Sequence, residues 1–407
     1  MEKSLRTKYM KRILMLFICC LIAGKIFSQV EANVVDSLVQ MGFENVGCSE
    51  DDRERVYVLQ NSAYRLQGVG IGKAVDVIQR MGMPEAKPCR IIVLNNNVPQ
   101  ISLYYKPTEV DSLQSVEEKD WKVSYDLDGA WDQVRKIKLK NSSLFKVDLV
   151  VYPQLAFKNL IINQIYQVLF QLSPAVEVSL WKGMKLTAQV KFPIHNDGYG
   201  HYEERIHPGH VTVSQRFRLP YNIFGKLTIG TFNVGYGADL DLFYPFKDER
   251  FSMVGRLGYT GIGYWDSFVY HYDTTMMWTW SIGGNFYWPR YNTQFTLKAE
   301  RYLGKDIGVK FEMIRHFRYC SVGFYAMKGQ EAKTNGGFRF QIALPPYKYK
   351  RYKNSWPRIN TSANMGIVYN ANNEQMYYRE YKPEASDNIM EKNSFNPYFI
   401  KSELLNF

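Results

Sequence analysis

The chain has 407 residues, 46% hydrophobic and 22% charged, which excludes a disordered or collagen-like chain and leaves room for two or three domains. Five cysteines are too few for a disulfide-built mini-protein, so its cores must come from packing. The formal charge of +12 is unevenly spread: residues 1–28 carry six basic residues and one acidic, residues 29–144 are net −3, and residues 145–407 are net +10. A basic second half points to an anionic partner, either lipid headgroups or an acidic polymer.

Lys3, Arg6, Lys8, Lys11 and Arg12 precede an apolar run from Ile13 to Ala23. That run is too short to cross a bilayer as a helix, which needs ~20 residues, and reads as the core of a secretory leader over residues 1–28, cleaved near Ser28 and Gln29. A lipid anchor on Cys19 or Cys20 is disfavoured by bulky apolar neighbours. With no later run of 18 apolar residues, the exported chain is expected to be a soluble periplasmic or secreted protein or an outer-membrane β-barrel. Export also makes nucleic acid a poor candidate partner.

Residues 29–143 are expected to form a small periplasmic α/β domain with a linker. Val34, Val35, Leu38, Val39 and Met41 share one face of a short helix stopped by Gly42, Arg55–Leu59 reads as a strand, and Ile71–Met81 as a second helix. Cys89–Leu94 and Gln100–Tyr105 read as strands joined through an Asn-rich turn, and Glu109–Asp132, acidic and turn-rich with two Trp, as a linker or an irregular packing segment. Gly68, Gly70 and Gly72 are expected to make a turn and the entry of the second helix. Cys48 and Cys89 lie near two strands; an exported compartment permits their pairing, and two buried thiols fit the sequence equally.

Beyond residue 144 the hydrophobic period is two. Leu186, Ala188, Val190 and Phe192 alternate with Lys185, Thr187, Gln189 and Lys191; Ile307, Val309, Phe311 and Met313 alternate with Gly308, Lys310 and Glu312. Similar segments occur around Phe251 and Phe338 and begin near Tyr166, His210, Lys226, Met276, Thr293, Tyr319, Asn360 and Asn396. About twelve such strands, 30 tyrosines and a terminal Phe407 favour an antiparallel transmembrane barrel over residues 144–407, ahead of a soluble β-sandwich. The fold class is therefore α+β, a small α/β module followed by a barrel.

Nothing in the sequence argues for catalysis, and no cofactor is implied. His195, His201, His207 and His210 crowd one segment, but their spacing matches no compact metal-ligand pattern, and a solvated loop is the plainer reading. Asp239 and Asp241 share a strand face and read as polar wall. The polar strand faces carry Lys185, Lys191, Arg216, Arg218, Arg256, Lys298, Lys310 and Arg339, with Glu300 and Glu312 among them. In a barrel these point into the lumen, where they either pair with one another or form a basic path for an acidic polysaccharide. In the first domain, Asn61, Tyr64 and Arg65 are candidates for docking a periplasmic or outer-membrane export partner; capping the following helix is the competing role.

Residues 57–65 (YVLQNSAYR) with the helix that follows, 147–154 (VDLVVYPQ), 300–309 (ERYLGKDIGV), 315–317 (RHF) and 336–345 (GGFRFQIALP) resemble the YjbH-like outer-membrane proteins of exopolysaccharide and capsule gene clusters. The resemblance spans most of residues 43–345. It implies a barrel that assists export or assembly of a surface polysaccharide, with no enzymatic residues to transfer. The alternative is a general or nutrient-specific outer-membrane pore.

Overall fold

The computed structural model describes residues 33–404 apart from 85–86, 108–119, 160–165, 233, 304, 332–333, 350–357, 362–363 and 371–387. The expected leader and Phe407 lie outside the described residues.

The first domain runs α1 (33–41), β1 (Glu44–Glu50), β2 (Arg55–Gln60), α2 (Gln67–Met81), β3 (Cys89–Asn95), β4 (Val98–Tyr105), β5 (Lys122–Ser124) and α3 (Ala130–Val134). Its five strands lie in chain order in one sheet. Only β2 and β3 are parallel, because α2 carries the chain back across the sheet between them. Both faces are covered, which explains the unbroken apolar runs of the central strands. Tyr57, Leu59, Ile91 and Val93 face α1, α2 and Trp121, whereas Val56, Val58, Ile92 and Leu94 face Ala130 and Val134.

Three readings of this domain become definite. Helix α2 begins at Gln67, so Gly68, Gly70 and Gly72 are helical and their lack of a side chain serves close packing rather than a turn. A Cβ on Gly70 would lie 2.6 Å from the Asn61 side chain. Of the two readings of Glu109–Asp132, packing segment is the one seen: Trp121 is fully buried and β5 joins the sheet. No disulfide joins Cys48 and Cys89, since β2 runs between their strands and two strand spacings put the Cα atoms roughly 10 Å apart, beyond bridging distance.

The second domain is a closed barrel. Twelve strands form an antiparallel meander: β6 (Val147–Asn159), β7 (Tyr166–Trp181), β8 (Met184–Asn196), β9 (His207–Leu219), β10 (Ile223–Phe232), β11 (Val234–Pro245), β12 (Phe251–Asp266), β13 (Val269–Trp288), β14 (Thr293–Arg301), β15 (Ile307–His316), β16 (Cys320–Gly329) and β17 (Asn335–Ala343). A thirteenth position is shared by β18 (Arg358–Thr361) and β19 (Asn364–Asn370). Both pair with β6 in parallel, Arg358 opposite Asp148 and Gly366 opposite Gln154. Parallel closure follows from the odd number, because the first and thirteenth positions run the same way. The strand that carries Asp239 and Asp241, β11, is absent from the repeating segments counted in the sequence. The strand it placed near Asn396 is instead helix α4 (Pro397–Leu404).

Polarity is inverted across the barrel wall. Along β15, Val309 and Phe311 are 51% and 43% exposed, while the intervening Lys310 and Glu312 are 2% and 5% exposed. The same alternation puts Thr187, Gln189 and Lys191 of β8 inside and Phe192 and Ile194 outside. Leu227, Ile229, Leu257, Ile282 and Leu297 continue an aliphatic outer belt. Aromatic residues flank it: Trp181, Tyr221, Phe251, Trp288 and Tyr291 toward the rim that carries the first domain, and Tyr264, Tyr272 and Trp278 toward the other.

The first domain caps one barrel rim, held by named bonds. Glu249, in the β11–β12 turn, accepts from the Ser124 hydroxyl at 2.7 Å and the Tyr125 amide at 2.8 Å. Arg358 bridges Glu44 of the domain and Asp148 of β6. Residues 388–396 enter the lumen from the same side, and α4 then packs on α2 with Ile400 and Leu404 in the domain core.

Candidate functional site: a partly filled, basic lumen

The lumen is where this chain concentrates charge, and the candidate residues divide there by their partners. Lys185 pairs with Glu177 at 2.5 Å, and Arg256 donates to Asp239 at 2.7 Å. Lys298 stands 3.4 Å from Glu300. Lys226 and Asp241 are also 3.4 Å apart, which makes both aspartates, as expected, part of a polar wall. Lys191 is buried facing Glu203, whose carboxylate also takes a hydrogen bond from Gln171 at 2.6 Å.

Glu312 gathers three cations: Lys392 at 2.6 Å, Arg339 at 3.8 Å and Lys310 at 4.0 Å. Lys310 and Arg339 also flank the Tyr325 ring. These two candidates are therefore committed to the wall's own Glu312 and Tyr325. Lys392 comes from the C-terminal segment, so the ion pair fastens that segment to the wall. Two further contacts do the same: Gln341 Oε1 accepts from the Ile389 amide at 2.7 Å, and Asn393 bonds the His316 ring at 2.8 Å.

Arg218 has a different task. Its guanidinium donates to the carbonyls of Pro99 at 3.3 Å, Gln100 at 3.2 Å and Tyr125 at 2.5 Å, and to Asn222 Oδ1 at 2.5 Å. It also lies over the Phe224 ring. This residue, expected on a polymer path, is a tether between barrel and domain. Arg216, two positions earlier on the same face, is the contrasting case: among the described residues no acidic side chain pairs with it.

The three domain candidates are buried. Asn61 Oδ1 accepts from the Ala63 and Tyr64 amides, and its Nδ2 donates to the Tyr64 and Leu66 carbonyls, closing the β2–α2 turn. Tyr64 packs edge-on against Tyr347. Arg65 donates to the carbonyls of Leu344 at 2.5 Å and Pro345 at 3.0 Å and covers the Tyr349 ring at 4.0 Å. Burial pushes its pKa below the usual guanidinium range. Asn61 is spent within its own turn, and Tyr64 and Arg65 on the segment that follows β17, so the three offer no open docking face. The β1 edge is likewise covered, through paired backbone bonds between Val46 and Lys140.

Two of the four clustered histidines are not in a solvated loop. His207 and His210 occupy inward positions of β9 and are buried, His207 3.5 Å from Glu203 and His210 3.2 Å from Gln189. No group of three metal-ligating side chains occurs among the described residues.

Between the domain, strands β9 to β15 and the C-terminal segment lies a cavity of about 400 Å³. Six basic residues line it against three acidic ones, together with Tyr125, Phe224, Phe243 and Tyr287. The C-terminal contribution was missed in the sequence, although a signal was present: Asn396 followed by Pro397 is a helix-start pair, and Asn396 Oδ1 does accept from the Tyr398 and Phe399 amides.

Fold and lumen together define a closed β-barrel with an α/β cap and a lumen partly filled by the chain's own C-terminal segment. Comparison with protein-family models, curated proteins and solved structures found no match.

Proposed function

We propose that this protein is an outer-membrane β-barrel, its α/β domain in the periplasm, that assists export or assembly of a surface polysaccharide. The observation that carries the membrane part is the inverted wall, with Lys310 and Glu312 buried between exposed Val309 and Phe311. Water around such a barrel would face a continuous apolar belt far larger than soluble monomers expose. Lipid facing the same belt removes that cost, and flanking Trp and Tyr rings suit the two headgroup regions. No helix among the described residues is long and apolar enough to cross a membrane, so strands are the spanning elements in this reading.

The export part is supported by the basic bias of the lumen and by the likeness to YjbH-like proteins. A general pore needs an open passage, whereas residues 388–396 and the capping domain occupy one mouth of this barrel. That arrangement favours a gated or assembly role. The test is surface-polymer output in cells lacking the protein, together with conductance of the purified barrel in planar bilayers. Reduced polymer and a closed or narrow channel are expected. Normal polymer with a wide, weakly selective conductance would make the protein a porin.

A further inference from the structure

We propose that the cavity beneath the α/β domain binds a carboxylated sugar unit, with Arg216 making the anion contact; this rests on the polysaccharide reading above. Arg216 is fixed by its backbone. Its amide donates to Gly183 at 2.7 Å across the β7–β8 turn, and a Cβ on Gly183, at φ +85°, would lie 2.2 Å from the Arg216 carbonyl. Only glycine allows that approach. The side chain points inward on β9 and lines the cavity.

Charge selects the ligand class. Of the six basic residues lining the cavity, the other five each have a carboxylate within 3.4 Å. Arg216 has none among the described residues, and two charges of the same sign act beside it, Lys226 directly across the strand pair and Lys185. An anion placed there gains a bidentate partner and relieves that repulsion. One unpaired guanidinium matches the single charge of a carboxylate. A phosphate monoester, at about −1.5 to −2, would ask for a second unpaired cation.

Size and walls point to a sugar. The cavity, about 400 Å³, falls in the range of pockets that hold small molecules, roughly 300–1,000 Å³. Tyr125, Phe224 and Phe243 form a mutually packed aromatic cluster at its edge, with ring centroids 5.7 to 5.9 Å apart. Such a surface suits the apolar face of a pyranose. The pocket contains parts of the domain, the barrel and the C-terminal segment, so it exists only in the assembled molecule.

The experiment is calorimetric titration of the full-length detergent-solubilised protein with digalacturonate, and with neutral galactobiose as the uncharged control. Digalacturonate is expected to bind at least tenfold more tightly than galactobiose, and Arg216→Gln to erase that difference. Arg216→Lys, which keeps the charge without the fork, should fall between the two; it carries the test if the Gln variant does not fold. Equal affinity for both sugars, no binding of digalacturonate, or wild-type binding by both variants would overturn the site. Liposome insertion, read on the same preparation, separates the two claims: protein that inserts but ignores digalacturonate removes this pocket and leaves the membrane reading standing.

Discussion

Glu403 of α4 accepts the backbone N–H of Gly68 in α2 at 2.8 Å, and a Cβ on Gly68 would lie 2.3 Å from the Glu403 Cβ. This contact joins the last described helix to the first domain and so fastens the segment that fills the lumen. Gly68→Ala should force the helices apart at a cost of about 1–3 kcal/mol, typical of overpacking. Faster amide exchange in α4 than in the barrel strands is the expected readout.

The same carboxyl makes the contact pH-dependent. Burial pushes the Glu403 pKa up to about 8, against smaller opposing effects of the Gly68 N–H and Arg318. A raised acid pKa means the folded state holds the proton more tightly than the unfolded chain. The contribution is therefore complete below about pH 4.5 and is lost as pH rises through about 8. Protection of α4 should fall between pH 6 and 9 in the wild type and stay level in Glu403→Gln.

Arg218→Ala should release the domain from the barrel rim. It leaves the Pro99, Gln100 and Tyr125 carbonyls without their guanidinium partner, and each unsatisfied buried group costs about 1–3 kcal/mol. Arg218→Lys should recover little, because one ammonium cannot span that fan of acceptors. Two separate thermal transitions in place of one are expected for the alanine variant. A single unshifted transition would mean the tether is dispensable.

Filling of the lumen predicts a conductance phenotype. Gln341→Leu removes the acceptor for Ile389 and Met390, and Lys392→Ala removes the short ion pair with Glu312. Together they should convert a closed barrel into one with frequent open events in planar bilayers. Unchanged closure would place the barrier elsewhere, with the capping domain.

Much of this architecture was legible in the sequence, because a strand with one apolar and one polar face repeats at period two whatever surrounds it. Lys310 and Val309 could be assigned to opposite walls from their alternation alone. Parallel closure by β18 and β19 could not, since it depends on the parity of strands and on β11, whose glycines and aspartates blur the pattern. Arg216 and Arg218 looked equivalent because they share a face. What sets Arg218 apart as a tether is its contact with Pro99, Gln100 and Tyr125, about a hundred residues away in sequence. The segment beginning near Asn396 looks strand-like in sequence, yet its Asn396–Pro397 pair starts a helix, α4.

Outward-facing positions should respond to charge as lipid-facing ones do. Val309→Arg is expected to destabilise the liposome-folded protein by about 2–4 kcal/mol in urea titration, the cost of a basic residue near the bilayer midplane. Thr274→Arg, on an exposed stretch of β13, should change little. Equal, small effects at both positions would indicate an aqueous outer wall.

The most direct measurement of the central claim, a barrel embedded in a membrane through its inverted wall, is folding into liposomes followed by alkaline carbonate extraction and gel mobility with and without boiling. The account predicts protein that stays with the vesicles in carbonate and migrates differently before and after boiling. Protein that leaves with the carbonate supernatant as a soluble monomer, with one mobility whether boiled or not, would contradict it.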